Sequence, residues 1–164
     1  MDSQPGASVP AFGHATDARR RVPESLAAAV AAIIGLGIST YLTAAHYQDF
    51  SLACSTTGVI DCASVTHSGY SMVAGIPVSL LGVLWFGSIA ACSLVTLRAT
   101  ARAHWLWTQV TLALGGLAFV LYLVYAELVQ LHRICEWCTG VHLLTLTVFL
   151  LTVVRVQRTP STTC

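Results

Sequence analysis

Residues 25–46 read SLAAAVAAIIGLGISTYLTAAH, the first long apolar run of the chain. It contains no Asp, Glu, Lys or Arg. A helix needs about 20 apolar residues to cross the hydrocarbon core of a bilayer, so the stretch is predicted to be a membrane span. A secretory signal peptide is the competing interpretation, because Arg19–Arg21 resemble a charged leader. The apolar run is too long for one, and further spans follow.

Three more uncharged runs follow, at about residues 75–97, 105–126 and 138–154. The last is close to the lower limit of about 17 residues for a span, so we expect its helix to extend back to Cys135. With 55% hydrophobic residues, 9% charged residues and a mean hydropathy of +0.74, the 164-residue chain lacks the polar surface of a soluble domain. The predicted fold is an all-α integral membrane protein, a four-transmembrane-helix bundle.

Prolines and glycines mark the segment before the first span. They interrupt any helical periodicity, so residues 1–24 are predicted to form a disordered N-terminal tail. The membrane domain is then expected over residues 25–155, and a short C-terminal tail over residues 156–164.

The arginines lie almost entirely on one side of the predicted spans. Of the eight, seven lie before span one, in the link between spans two and three, or after the last uncharged run, and only Arg133 lies on the other side. This asymmetry marks the cytosolic side, so both termini are expected in the cytosol.

The absence of Lys and Asn is typical of a GC-rich bacterial genome, and we expect a multi-pass protein of the bacterial cytoplasmic membrane. A net charge of +1 without an extended basic face predicts no nucleic-acid partner.

Four of the six cysteines form two close pairs on the predicted outer face. Cys54 and Cys62 lie in the first outer loop, and Cys135 and Cys138 lie where the second outer loop enters span four. A C-x-x-C at a helix start makes a reactive dithiol, because free backbone N–H groups and the helix dipole stabilise the first thiolate. We expect Cys135 to be the exposed, exchanging sulfur and Cys138 to face the bundle interior one turn deeper.

Two plainer interpretations of these cysteines stay open. The four sulfurs could form a zinc site, although an oxidising compartment disfavours four reduced thiolates. The loop pair could also be an ordinary disulfide that staples the loop. Two pairs on one face favour a relay, in which a mobile pair meets a partner and a fixed pair meets an electron acceptor. Because the C-x-x-C lies beside apolar helices, we expect a lipid-soluble quinone as the acceptor, and no metal.

This pattern resembles the vitamin K epoxide reductase family, whose bacterial members couple disulfide formation to quinone reduction. The resemblance covers roughly residues 25–155. It rests on the loop pair Cys54 and Cys62, on Ser68 six residues after the second cysteine, on Gly75-Ile-Pro-Val-Ser-Leu-Leu-Gly82, and on Cys135-Glu-Trp-Cys138. The resemblance implies an outer loop and a short membrane-surface helix, at about residues 65–74, between spans one and two.

The resemblance also implies an order of electron transfer. Cys54 would form a mixed disulfide with a reduced thioredoxin-like or DsbA-like partner, and Cys62 would resolve it. Cys62 would then attack Cys135, and Cys138 would reduce the quinone, whether menaquinone, ubiquinone or vitamin K. Ser68 would support the loop and gate the site, or be a solvated loop serine. Some bacterial members carry a fused thioredoxin-like domain; we expect this chain to use a separate redox protein.

The predicted quinone pocket departs from the family pattern. Family members can place an amide near the start of span two, whereas Val78 stands there in this chain, beside Ser79. His142 replaces an aromatic hydroxyl of animal members, and we expect it to donate to a quinone carbonyl, since an ionisable residue within a span is usually functional. A satisfied buried histidine is the alternative. Trp137 within the C-x-x-C, with Trp85 and Phe86 of span two, is a candidate for the pocket wall.

Two further function classes remain open from the sequence. A vitamin K epoxide reductase in the strict sense would use the same cysteines on an epoxide or quinone. A non-enzymatic membrane protein would hold structural disulfides or zinc.

Residues away from the cysteines carry two structural predictions. Glu127, His132 and Arg133, at the outer end of span three, are expected to form a solvated or ion-paired rim. The glycines at 35 and 37 and at 115 and 116 are expected to allow close helix packing.

Overall fold

The structure is a computed structural model of the chain, and it describes residues 12–48, 52–55, 58–98 and 102–158. Its α-helices are α1 (Phe12–Gln48), α2 (Cys62–Thr66), α3 (Val78–Arg98), α4 (Arg102–Tyr125) and α5 (Glu136–Gln157). Within the described ranges, four of these are long and apolar enough to cross a membrane, namely all except α2. The predicted four-helix membrane bundle is confirmed.

The first helix begins earlier than the sequence predicts. α1 starts at Phe12, so residues 12–24 are helical rather than part of a disordered tail. Alanine and arginine are good helix formers, and a helix that is already nucleated by the span extends at little cost. Residues 1–11 and 159–164 of the predicted tails lie outside the described residues.

Helix α5 begins at Glu136, directly after Cys135, as its short apolar run predicts. α1 packs against α3 and α5, and α4 packs against the same two helices. The core between them combines alanines, two of them from α1, with the larger side chains of α3 and α5. Its buried members are Ala31, Ala32, Phe86, Ile89, Ala90 and Val148.

Two glycines make close helix packing possible. A Cβ at Gly35 of α1 would lie 2.4 Å from the Phe86 ring, and a Cβ at Gly116 of α4 would lie 2.4 Å from the Trp85 ring. Gly37 and Gly115 have no described atom within 4 Å of such a Cβ. The predicted packing role is therefore confirmed for Gly35 and Gly116 and is wrong for the other two.

The connection from α1 to α3 differs from the single surface helix expected at residues 65–74. α2 ends at Thr66, and a 3₁₀ turn at Gly69–Ser71 leads into a hairpin of β1 (Met72–Val73) and β2 (Ile76–Pro77). The hairpin turn has positive φ at Ala74 (52°) and Gly75 (81°), as a tight two-residue turn requires. A helix cannot continue through that backbone, so the span begins at Val78 rather than at Gly75.

Both cysteine pairs lie at one end of the bundle. At the other end Arg158, after α5, forms an ion pair with Glu24 of α1. The chain topology thus brings together two pairs that are far apart in sequence, as the order of the spans predicts.

Candidate active site

Cys54 and Cys62 are joined by a disulfide, with their Cα atoms 6.2 Å apart. Cys62 is the first residue of α2 and is only 1% exposed, whereas Cys54 is half-buried. Asp61 caps this helix. Its carboxylate accepts a hydrogen bond from the Ser64 hydroxyl at 2.5 Å and another from the Ser64 backbone N–H at 3.0 Å. The same two bonds lower the pKa of Asp61. The helix start therefore fixes Cys62 and leaves Cys54 as the more accessible sulfur.

Cys135 and Cys138 are free thiols at the start of α5. Cys135 is the N-cap residue, with extended backbone, and its Sγ accepts the backbone N–H of Cys138 at 3.3 Å. A hydrogen bond from the Cys138 side chain is the main cause that lowers the pKa of the Cys135 thiol, against the opposing effect of burial. Cys135 is therefore the sulfur of the pair that the local structure favours as thiolate.

Cys135 is not the exposed sulfur that the sequence predicts. It is fully buried, because the disulfide loop is hydrogen-bonded alongside the segment that precedes it. Ile60 and Ile134 form a parallel bridge. The backbone N–H of Asp61 donates to the carbonyl of Ile134 at 3.1 Å, and that of Ile134 donates to the carbonyl of Val59 at 2.9 Å. Hydropathy carries no signal for this long-range pairing.

The two cysteine pairs belong to a single apolar cluster. Cys62, Val65 and Cys135 are its buried members, and Cys54 and Cys138 pack against them. Thiol–disulfide exchange requires direct attack of one sulfur on another, so a shared cluster is the arrangement that a relay needs. Within the described residues, no group of three or more His, Cys, Asp or Glu side chains is placed to hold a metal ion.

Side chains from the C-x-x-C, from the segment before it and from α1 hold the disulfide loop in place. The indole N–H of Trp137 donates to the carbonyl of Ala53 at 2.8 Å, and the N–H of Ala53 donates to the Tyr41 hydroxyl at 3.1 Å. Arg133 donates to the carbonyl of Gly58 at 2.8 Å. Arg133 is exposed, as predicted for the rim, yet its bond ties the loop to the C-x-x-C side of the site.

A mainly apolar cavity lies on the other side of the C-x-x-C. Cys138 and His142 of α5 line it, together with Val78 and Ser79 of α3 and Ser68 of the outer connection. Its other lining residues come from α1, α2, the 3₁₀ turn, α3, α4, the helical turn that follows α4, and α5. They are Ser39, Leu42, His46, Val65, Thr66, Tyr70, Ser71, Gly82, Leu123, Ala126, Glu127, Leu131 and Val141.

Trp85 does not reach this cavity. Its indole N–H donates to the carbonyl of Leu112 in α4 at 2.8 Å, and Phe86 lies in the bundle core. The structure therefore differs from the expectation that these two side chains wall a quinone pocket. They face α4 and α1 instead, where Gly116 and Gly35 make room for them.

Glu127 is a site residue that the sequence interpretation missed. It was expected on a solvated or ion-paired rim, but it is 6% exposed and lines the cavity. A π-helical turn, Ala126–Leu131, continues α4 beyond Tyr125 and directs this carboxyl inward. The sequence does contain a signal for this position, an acidic residue directly after an apolar run. The helix extends past the span's predicted end at residue 126, which brings Glu127 inside the bundle.

The disulfide, the buried dithiol and the apolar cavity together define a class: membrane proteins that carry out thiol–disulfide chemistry inside a helical bundle. Comparison with protein-family models matches residues 26–153 to the vitamin K epoxide reductase family, and the chain belongs to that family. The match spans both cysteine pairs and confirms the resemblance. The chain is accordingly a membrane oxidoreductase from a family whose members use quinones. No curated protein matches it.

Proposed function

We propose that this chain is a quinone-linked thiol oxidoreductase. It takes electrons from a reduced thioredoxin-like or DsbA-like protein and passes them to a membrane quinone, which supports disulfide-bond formation. One observation carries the proposal: the Cys54–Cys62 disulfide shares a cluster with the buried Cys135, while Cys138 of the same dithiol lines an apolar cavity. The four cysteines thus link the outer loop to the apolar cavity inside the helical bundle.

The first step is exchange with the partner at Cys54. A partner thiolate attacks Cys54, which is the more accessible sulfur, so a partner–Cys54 bond forms and Cys62 leaves as a thiol. The second thiol of the partner then displaces Cys54, and the partner departs as a disulfide. Resolution by Cys62 would return the partner in its reduced form, so the resolving role expected for Cys62 does not fit this direction.

The second step is exchange between the two pairs of the chain. Cys62 attacks Cys135 of an oxidised C-x-x-C, and Cys138 leaves as a thiol. Cys54 then attacks Cys62, which restores the Cys54–Cys62 disulfide and releases Cys135. The bonding in the structure, with the loop pair joined and both C-x-x-C thiols free, corresponds to the product of this exchange.

The third step reoxidises the C-x-x-C. Cys135 and Cys138 form their disulfide and release two electrons and two protons, which convert a quinone into a quinol. Cys138 lies in the cavity wall, and His142 and Ser79 supply polar groups there for the quinone oxygens. Val78 offers an apolar contact in place of the amide of other members, and Ser68 lies in the wall formed by the outer connection.

The orientation in the membrane is part of the proposal. The cysteine end is placed on the outer face of a bacterial cytoplasmic membrane and both termini in the cytosol. The distribution of the arginines supports this placement. A reporter that works only in the cytosol should be active when it is fused to the C-terminus. An inactive reporter would show that the orientation is the reverse of the proposed one.

The test uses the purified chain in lipid nanodiscs with a reduced dithiol protein and a short-chain quinone. Cys135→Ala and Cys138→Ala should each abolish quinol formation. Cys92→Ala is the matched control, because Cys92 is a buried free thiol of α3 outside the cavity. Quinol formation by either C-x-x-C variant would refute the proposed function.

A strict vitamin K epoxide reductase is the second candidate. The free thiols of Cys135 and Cys138 favour it equally, because reduction of an epoxide begins from the dithiol. Incubation of the reduced chain with vitamin K epoxide separates the two functions. If the reduced chain converts the epoxide to the quinone at least as fast as it reduces a quinone to the quinol, the epoxide reductase is favoured.

A further inference from the structure

Glu127 is the acidic residue of the cavity wall, and it lies within a membrane-spanning helix. An ionisable side chain at such a position is costly and is usually retained for function. The fold places it there by a local device. In the π-helical turn Ala126 and Glu127 are buried, whereas the next residues, Leu128 and Val129, are 54% and 50% exposed. Turns of this kind are frequent at functional sites.

The backbone holds this carboxyl next to the dithiol. The carbonyl of Glu127 accepts the N–H of Arg133 at 3.2 Å and that of His132, which closes the turn just before the C-x-x-C. The Glu127 carboxyl faces the backbone N–H of Cys135, and its charge acts on the thiols of both Cys135 and Cys138.

We infer that Glu127 carries a proton from the C-x-x-C dithiol to the quinone, an inference that rests on the proposed function. The Glu127 carboxylate takes the proton that Cys135 loses when it ionises to the thiolate, and two electrons pass to the quinone as the Cys135–Cys138 bond forms. One quinone oxygen then takes the proton from Glu127, and the other takes the proton of Cys138. The products are one disulfide and one quinol, and Glu127 returns to the carboxylate.

The test compares Glu127→Gln with Glu127→Asp. Glutamine keeps an oxygen that can accept the N–H of Cys135 but cannot carry a proton, whereas aspartate can. Glu127→Gln should lower kcat for quinone reduction by about 100-fold with little change in KM, as expected for loss of a general acid–base group. It should also remove one limb of the pH profile of kcat. Glu127→Asp should retain a substantial part of the rate.

Two controls separate this inference from the proposed function. Glu24→Gln changes an acidic residue at the opposite end of the bundle and should leave kcat unchanged. Thiol loss from the partner in a single turnover without quinone should be equal in wild type and Glu127→Gln. If wild type fails to reduce quinone, the proposed function fails; if Glu127→Gln keeps the wild-type kcat and pH profile, only the role of Glu127 fails. Equal impairment of the Gln and Asp variants would also assign Glu127 a purely structural role.

Thr66 is a second cavity residue to which we assign a role, on the basis of a different observation. The hydroxyl of Thr66, the last residue of α2, is buried and has no hydrogen-bond partner among the described residues. Buried hydroxyl groups are almost always paired, so an acceptor from outside the chain is expected. The Thr66 side chain lines the same cavity as Cys138, and the backbone carbonyl of Thr66 lies 3.4 Å from Nδ1 of His46. We propose that Thr66 donates a hydrogen bond to a quinone carbonyl.

Thr66→Val keeps the shape of the side chain and removes the hydroxyl. It should raise KM for a short-chain quinone about 5- to 10-fold, the effect of one lost hydrogen bond, and Thr66→Ser should restore the wild-type value. Thr40→Val is the control, because the Thr40 hydroxyl bonds the Leu36 carbonyl of its own helix at 2.7 Å. The melting temperature of Thr66→Val should be unchanged or higher. A wild-type KM, or a lower melting temperature with unchanged KM, would overturn this assignment, while absence of quinone reduction in wild type would overturn the proposed function itself.

Discussion

Trp137 and Ala53 are 84 positions apart in sequence, and the indole N–H of the first donates to the carbonyl of the second at 2.8 Å. Trp137 stands between the two cysteines of the C-x-x-C, and Ala53 stands next to Cys54. The hydrogen bond thus joins the two redox pairs through their immediate neighbours. The loop that carries Cys54 is therefore held against the C-x-x-C.

Trp137→Phe keeps the aromatic ring and removes the donor. Loss of one hydrogen bond costs about 0.5–1.5 kcal/mol, so the loop should open more often and the buried Cys135 should be alkylated up to about tenfold faster. Mass mapping of Cys135 after timed alkylation measures the rate. Trp107→Phe is the control, since Trp107 is 63% exposed on α4. Equal alkylation of wild type and Trp137→Phe would show that this bond does not hold the loop.

Cys138→Ala should shift the ionisation of Cys135 to higher pH. The hydrogen bond from the Cys138 side chain is the main cause of the lowered pKa of Cys135, so removing it raises that pKa and reduces the thiolate fraction at neutral pH. Cys138→Ser keeps a hydroxyl donor and should shift the midpoint less. The ultraviolet absorbance of the thiolate, followed against pH with Cys92 and Cys164 both replaced by Ala, measures it. A midpoint that stays in place or falls in Cys138→Ala would contradict the assignment.

The fold was predictable from sequence because apolar run length and the placement of arginines are local signals. The four spans and the meeting of the cysteine pairs at one end follow from them. The burial of Cys135 was not predictable, since it depends on the bridge between Ile60 and Ile134 and on the bond from Trp137. The inward position of Glu127 depends on a π-helical turn, which no periodicity in the sequence marks.

Gly35→Ala should destabilise the bundle. A Cβ at this position would lie 2.4 Å from the Phe86 ring, and Phe86 is buried in the core, so the helices must separate or the ring must move. Overpacking of this kind costs about 1–3 kcal/mol. Thermal unfolding in detergent measures the loss as a lower melting temperature.

Gly37→Ala is the matched control on the same helix, because no described atom lies within 4 Å of its Cβ position. It should be neutral or slightly stabilising, since alanine is the better helix former. Replacing Phe86 by Leu in the Gly35→Ala background should restore part of the melting temperature. Equal melting temperatures of the two single variants would contradict the close approach of α1 and α3.

Gly58→Val should weaken the Cys54–Cys62 disulfide relative to its dithiol. Gly58 lies inside the loop that this disulfide closes and has φ of +60°, and its carbonyl accepts the bond from Arg133. A side chain costs about 1–2 kcal/mol in this left-handed conformation, and the open loop can avoid it when the cysteines are reduced. The redox equilibrium with glutathione should therefore shift toward the dithiol by roughly 5- to 30-fold, the equivalent of that cost.

Gly58→Asn is the control, because asparagine tolerates this backbone and should stay close to wild type. Similar equilibria for the Val and Asn variants would mean that the left-handed turn at Gly58 does not set the stability of the loop disulfide.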